Sequence, residues 1–143
     1  MKFSSPQHAL RWAYEMLKGG SEHVDEAASL LRTCERSLPA LEFAYIKFQF
    51  GGDLFGIESL TNRLDAIFGP GSYSRNGIEQ IIRAYCGHRI GLREIRKSLN
   101  TGMLKAASMR NRGYDCLDVI HEQAMAILGR ELEEYFEKEI ERV

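Results

Sequence analysis

Apolar residues recur at intervals of three and four through nearly the whole chain, the spacing of one buried face of an α-helix. Ser5-Pro6 reads as an N-cap followed by proline at the first helical position. Leu10, Ala13, Tyr14 and Leu17 then form one stripe, and Gly19-Gly20 stops it. Asp25 and Glu26 suit the first turn of a second helix, whose Val24, Ala27, Ala28, Leu31 and Leu38 run up to Pro39. Pro39 at the first helical position opens a third, carrying Leu41, Ala44, Tyr45 and Phe48 as far as Gly51-Gly52. Segment 44–50 also fits a strand; helix is preferred because no second strand is available to pair with it. Asp53 caps a fourth helix bearing Leu54, Ile57, Leu60, Leu64, Ile67 and Phe68.

The stretch 69–77, rich in Gly, Pro and Ser, is the clearest break and reads as a linker loop. Beyond it Ile78, Ile81, Ile82 and Tyr85 mark a fifth helix, and 86–91 is a turn. Short helices are expected over 92–99 and 103–112, separated by a turn at 100–102, with Gly113 ending the second. Segment 114–128 is apolar on one side through Leu117, Ile120, Ala124, Ile127 and Leu128. A last, acidic helix is expected over 131–142, around Leu132, Tyr135, Phe136 and Ile140. The expected fold is all-α: a helical layer over 1–68, the loop 69–77, a tri-helical core over 78–128 and an acidic tail over 129–143. No internal repeat or low-complexity segment interrupts it.

Composition narrows the class. With 143 residues, 44% hydrophobic and 27% charged, the chain can bury a substantial core. No apolar run reaches the ~20 residues that cross a bilayer, and the first residues lack the apolar stretch of a signal peptide. Three widely spaced cysteines, Cys34, Cys86 and Cys116, form no CxxC pair and fit a reducing cytoplasm. The net charge of −1 conceals a sharp asymmetry. Residues 1–82 sum to −2, residues 83–112 to +7 and residues 113–143 to −6. A concentrated basic block in a neutral chain points to a polyanionic partner.

That block has the order of a helix-turn-helix. The first helix of such a unit buries two positions a turn apart, here Ile95 and Leu99. Asn100 is one of the few residues other than glycine that tolerates the left-handed backbone a tight turn requires. The second helix buries Ala106 and Met109, leaving Lys105, Ser108, Asn111 and Arg112 for base edges and phosphates. Residues 78–85 supply the third helix of the core. Arg89, Arg93, Arg96, Lys97, Lys105, Ser108, Arg110, Asn111 and Arg112 are therefore the candidate DNA-binding residues.

The succession of a support helix, Leu92-Arg-Glu-Ile-x-x-x-Leu99, a turn, a polar-basic helix and a following apolar helix resembles the helix-turn-helix of sigma-factor region four. It is similar also to that of small phage regulators, including the Q-type late antiterminators. Ala9-Leu-Arg-Trp-Ala-Tyr-Glu15 and Ile120-His-Glu-Gln-Ala-Met125 look like segments of prophage-encoded proteins. The resemblance implies a phage-type transcription regulator or antiterminator that binds duplex DNA, with RNA polymerase as a partner of residues 1–68 and homo-oligomers in view. The chain departs from the pattern at Arg96, where a small residue is usual, and at Thr101 and Gly102, where an apolar residue anchors the turn.

Other readings stand beside this one. A helical hairpin with a solvated basic face produces much of the same string. An assembly protein whose basic block docks on its acidic block needs no nucleic acid, and a small DNA-packaging component is a third possibility. Catalysis has little support, and no cofactor is expected. His121-Glu122 opens like HExxH, but Met125 holds the second histidine's place. His23 with Glu26 is no ligand set, and Cys86 near His88 is too close in sequence for a nucleophile and its base to converge well. Trp12 and Tyr14 are expected to anchor the first helix in the core. Phe43, Tyr45, Phe48, Phe50 and Phe55 are expected to be core, in part a partner surface.

Overall fold

The computed structural model describes residues 2–136. Among them seven α-helices follow in order: α1 (Pro6–Gly19), α2 (Val24–Ser37), α3 (Ala40–Gly51), α4 (Leu54–Phe68), α5 (Arg75–Tyr85), α6 (Leu92–Leu99) and α7 (Met103–Glu131). A 3-10 turn, Glu133–Tyr135, comes last. No β-strand occurs among the described residues; a parallel bridge between Phe3 and Phe136 joins the two ends of the described chain. The all-α expectation holds, and segment 44–50 is helical within α3. No helix among the described residues is long and apolar enough to cross a membrane.

The helix starts follow the local chemistry. The Ser5 hydroxyl accepts from the His8 amide at 3.1 Å, with Pro6 behind it in the first turn of α1. The Asp53 carboxylate accepts from the Phe55 amide at 2.9 Å and opens α4. Pro39 takes the N-cap of α3, one residue earlier than its expected first helical position. Gly20 and Gly52, at φ 61° and 69°, let the chain turn out of α1 and α3 through left-handed backbone.

α7 is the organising element, since it packs against each of the other six helices. At 29 residues it is about 44 Å long at the usual helical rise. Its buried face, Ala106, Met109, Gly113, Leu117, Ile120, Ala124 and Leu128, spans almost all of that length. One continuous core results, running from Phe3 through Leu10, Leu30, Ile46, Leu60 and Ile81 to Leu132.

Several expectations are corrected. The expected stop at Gly113 does not occur, and segments 103–112 and 114–128 are one helix. A Cβ on Gly113 would stand 2.8 Å from Ile81 Cγ2 and 3.2 Å from Leu64 Cδ2, so this glycine is a notch through which α7 passes α4 and α5. The loop after α4 is shorter than 69–77, because Ser74 caps α5 and Gly77 lies inside it. There Gly77 is buried against α6: a Cβ would meet Leu99 Cδ2 at 2.6 Å and the Leu99 nitrogen at 3.0 Å. The helix expected over 131–142 gives way, as far as Phe136, to the 3-10 turn and the Phe3 bridge. The rest of that segment lies outside the described residues.

The buried face of α2 is rotated from the expected one, whereas α4 buries the expected Ile57, Leu60, Leu64 and Phe68 but leaves Leu54 and Ile67 exposed. α2 buries Ala27, Leu30 and Cys34, leaving Leu31 half-buried. In α4 the core side is Gly56, Ile57, Leu60, Thr61, Leu64 and Phe68, whereas Leu54 and Phe55 are 66% and 77% exposed. Phe55 is therefore not a core aromatic, although Tyr45 and Phe48 are.

Candidate nucleic-acid interface

α5, α6 and α7 pack on one another as the tri-helical unit. Ile95 and Leu99 of α6 are buried, as are Ala106 and Met109 of α7, so the two expected contact pairs meet the core. Between them Asn100 adopts left-handed backbone, φ 55° and ψ 54°, and its amide donates to the Lys97 carbonyl at 3.2 Å. Asn100 alone among the described non-glycine residues has positive φ. The Ser74 hydroxyl clamps the unit: it accepts from the Gly77 amide at 3.1 Å and donates to the Ser98 carbonyl at 2.6 Å. One side chain thus caps α5 and holds the last turn of α6.

The first half of α7 sorts its side chains by direction. At about 100° per residue, Leu104, Ser108 and Asn111 fall opposite the buried Ala106, Met109 and Gly113. All three are exposed, Leu104 to 90%. Lys105 and Arg112 share the flank toward α4. The Lys105 ammonium lies 5.8 Å from the centre of the Tyr73 ring. The Arg112 guanidinium lies 5.5 Å from the Phe68 ring centre and donates to the Ile67 carbonyl at 3.1 Å. Arg110 takes the other flank, 6.0 Å over Tyr114, with its Nε buried and without a hydrogen-bond partner among the described residues. The expected set on this helix therefore divides into outward groups, Ser108 and Asn111, and flank cations that also brace the fold.

On α6 and the turn before it, Arg89, Arg93 and Lys97 are exposed and Arg96 is half-buried. Among the described residues, the ion pairs are Arg83 with Glu79 at 3.9 Å and His23 with Glu22 and Glu26 at 3.6 and 3.8 Å. None of the seven cations from Arg89 to Arg112 belongs to one. The N-terminus of α7 adds to the positive field: Gly102 offers no side-chain cap, and the first turn has no acidic residue. Beside it, a polar groove of about 680 Å³ is lined by Ser72, Tyr73, Ser74, Ser98, Thr101 and Lys105.

Behind this surface, hydrogen-bonded aromatics hold α7 to α3 and α5. Tyr45 Oη is 2.8 Å from His121 Nδ1, and Tyr85 donates to the Asp118 carboxylate at 2.7 Å. Burial raises the Tyr85 phenol well above the ordinary range, and the hydrogen bond to Asp118 adds to the rise. Burial likewise pushes the Cys86 thiol up to about 12, so it is no thiolate at neutral pH. His88 stacks on Phe48, ring centres 6.1 Å apart. No three His, Cys, Asp or Glu side chains among the described residues are grouped to hold a metal ion.

Sequence reasoning missed Leu104, whose helical spacing to Ser108 and Asn111 was visible, and the Ser74 clamp, which joins residues 24 positions apart. No known protein family, curated protein or solved structure matches the chain.

Proposed function

We propose that this protein binds duplex DNA through α6, its turn and the first half of α7, as a transcription regulator. The observation that carries the reading is the seven cations between Arg89 and Arg112, concentrated on one helix-turn-helix unit and unpaired with carboxylates among the described residues. Arg89, Arg93, Arg96 and Lys97 hold phosphates from α6 and the turn before it, and Lys105 with the hydroxyl-lined groove holds them beside the next turn. Asn111 has the donor–acceptor pair that matches adenine, Leu104 suits a thymine methyl and the Ser108 hydroxyl donates to a base acceptor or a phosphate oxygen. Arg110 and Arg112, each held over an aromatic ring, anchor the flanks. A role as an antiterminator, with α1–α4 meeting RNA polymerase, is what the resemblance to phage regulators adds; the exposed Leu54 and Phe55 offer that layer an apolar contact.

Selection of bound duplexes from a random pool tests this reading. A preferred site should emerge, and Asn111→Ala should lose about 1–3 kcal/mol on that site while keeping its affinity for random duplex. Absence of any enriched site, with no binding to the pool, would reject it in favour of a helical assembly protein.

A further inference from the structure

We infer that the cavity between α1, α2 and the segment after α7 is a binding site for a small, free alkylated ammonium compound, a function separate from DNA binding. The cavity holds about 420 Å³, within the range of small-molecule sites, roughly 300–1,000 Å³. Its lining is Phe3, Trp12, Asp25, Glu26, Ser29 and Tyr135. Three aromatic residues and two carboxylates thus line one space, with no lysine or arginine in the lining among the described residues. Aromatic faces attract cations through the ring quadrupole, Trp most strongly, and carboxylates supply the opposite charge. Apolar walls at the same time favour a cation whose charge is wrapped in methyl groups over a strongly hydrated one.

The walls are held in place by the fold. Phe3 is fully buried, and its amide donates to the Tyr135 carbonyl at 2.8 Å, which fixes Tyr135 next to it. The Phe3 and Trp12 rings lie 5.2 Å apart at 50°, two inclined surfaces rather than a closed stack. Asp25 and Glu26 stand in the first turn of α2, exposed at the mouth of the cavity. Two imidazoles border the site: His8 stands edge-on to Phe3, ring centres 5.2 Å apart, and His23 lies 6.0 Å from Trp12, its Nδ1 already 3.8 Å from Glu26. Trp12, expected from sequence to be a plain core anchor, is half-buried and lines the site.

Trp12 is the chain's single tryptophan, so its fluorescence reports this cavity alone. The full-length protein is titrated with choline chloride and, in parallel, with 3,3-dimethylbutan-1-ol, the neutral compound of the same shape. Choline should change the emission saturably, and the alcohol should bind about tenfold more weakly, the cation–π contribution expressed as affinity. The double variant Asp25→Asn, Glu26→Gln, which alters only exposed groups, should keep its fold and weaken choline binding while leaving the alcohol unaffected. Phosphatidylcholine vesicles, which present the same group at a lipid surface, should leave the emission unchanged. No saturable response to choline, equal responses to choline and the alcohol, or a response to vesicles without one to free choline would each overturn the assignment.

Discussion

Arg112 donates through its guanidinium to the Ile67 carbonyl at 3.1 Å, tying the middle of α7 to the last turn of α4. A cation at a helix C-terminus answers both an unpaired carbonyl and the negative end of the dipole. Arg112 therefore has a structural duty on the same face that would meet DNA, whereas Asn111, its neighbour, points outward and, among the described residues, its side chain accepts only from Arg110, at 3.4 Å. Arg112→Ala should lower unfolding free energy by about 1 kcal/mol, read from urea titrations, and Asn111→Ala should leave it within roughly 0.5 kcal/mol. Equal stability of the two variants would show that the Ile67 contact does not brace α4.

Two glycines of α7 should respond to the same substitution with opposite signs. Alanine in place of glycine favours a helix interior by about 1 kcal/mol. At Gly129 nothing lies within 4 Å of the added methyl, so Gly129→Ala should raise the melting temperature. At Gly113 the methyl would meet buried Ile81 and Leu64, and overpacking of about 1–3 kcal/mol should exceed the helical gain. Thermal unfolding of both variants checks this. A stabilised Gly113→Ala would mean that α7 does not pass α4 and α5 so closely.

Ile95 and Leu99 bury the inner face of a helix only eight residues long. Without that burial α6 has too few turns to persist. Ile95→Ala and Leu99→Ala should each cost about 2–5 kcal/mol, with the loss seen by circular dichroism in chemical unfolding. Wild-type unfolding of both would remove α6 as the support of the DNA-facing unit.

Burial pushes the Cys34 and Cys86 thiols from an ordinary 9.0 up to about 12. The folded chain then binds these protons more tightly than the unfolded one. The stability they contribute is intact below about pH 9 and is lost as pH climbs from there toward 12. Melting temperature should fall over that interval, and replacing Cys34 and Cys86 by alanine should flatten the fall after correction for the lost packing. An unchanged slope in the double variant would assign the alkaline loss to other groups, the buried tyrosines first.

What the sequence disclosed was what is decided locally. Ser5, Asp53 and Asn100 each act within two or three residues of themselves, and each stands where its side chain or backbone tolerance predicts. Ile95, Leu99, Ala106 and Met109 were legible because helical spacing alone sets them on one side. Gly113 and Gly77 were misread because glycine marks both a helix end and a close helix crossing, and the crossing partners Ile81 and Leu99 lie 32 and 22 positions away. The adjacent Leu30 and Leu31 leave the rotation of α2 open until α1 and α7 pack on it. Phe55 gave no local sign of exposure. For the candidate site, the residues were visible as a charge block, but the division between outward Asn111 and flank-bound Arg112 depends on α4.

The dependence of random-duplex binding on salt tests the central claim most directly. Each phosphate neutralised releases condensed counterions, so ~5 contacts from the Arg89–Arg112 cations should give a log–log slope of roughly −4 to −5. Arg89→Ala, Arg93→Ala and Lys97→Ala combined, all exposed positions, should reduce that slope by about 3 while leaving the fold intact. A protein that shows no binding at low ionic strength, or whose binding ignores both salt and these three substitutions, would contradict the account.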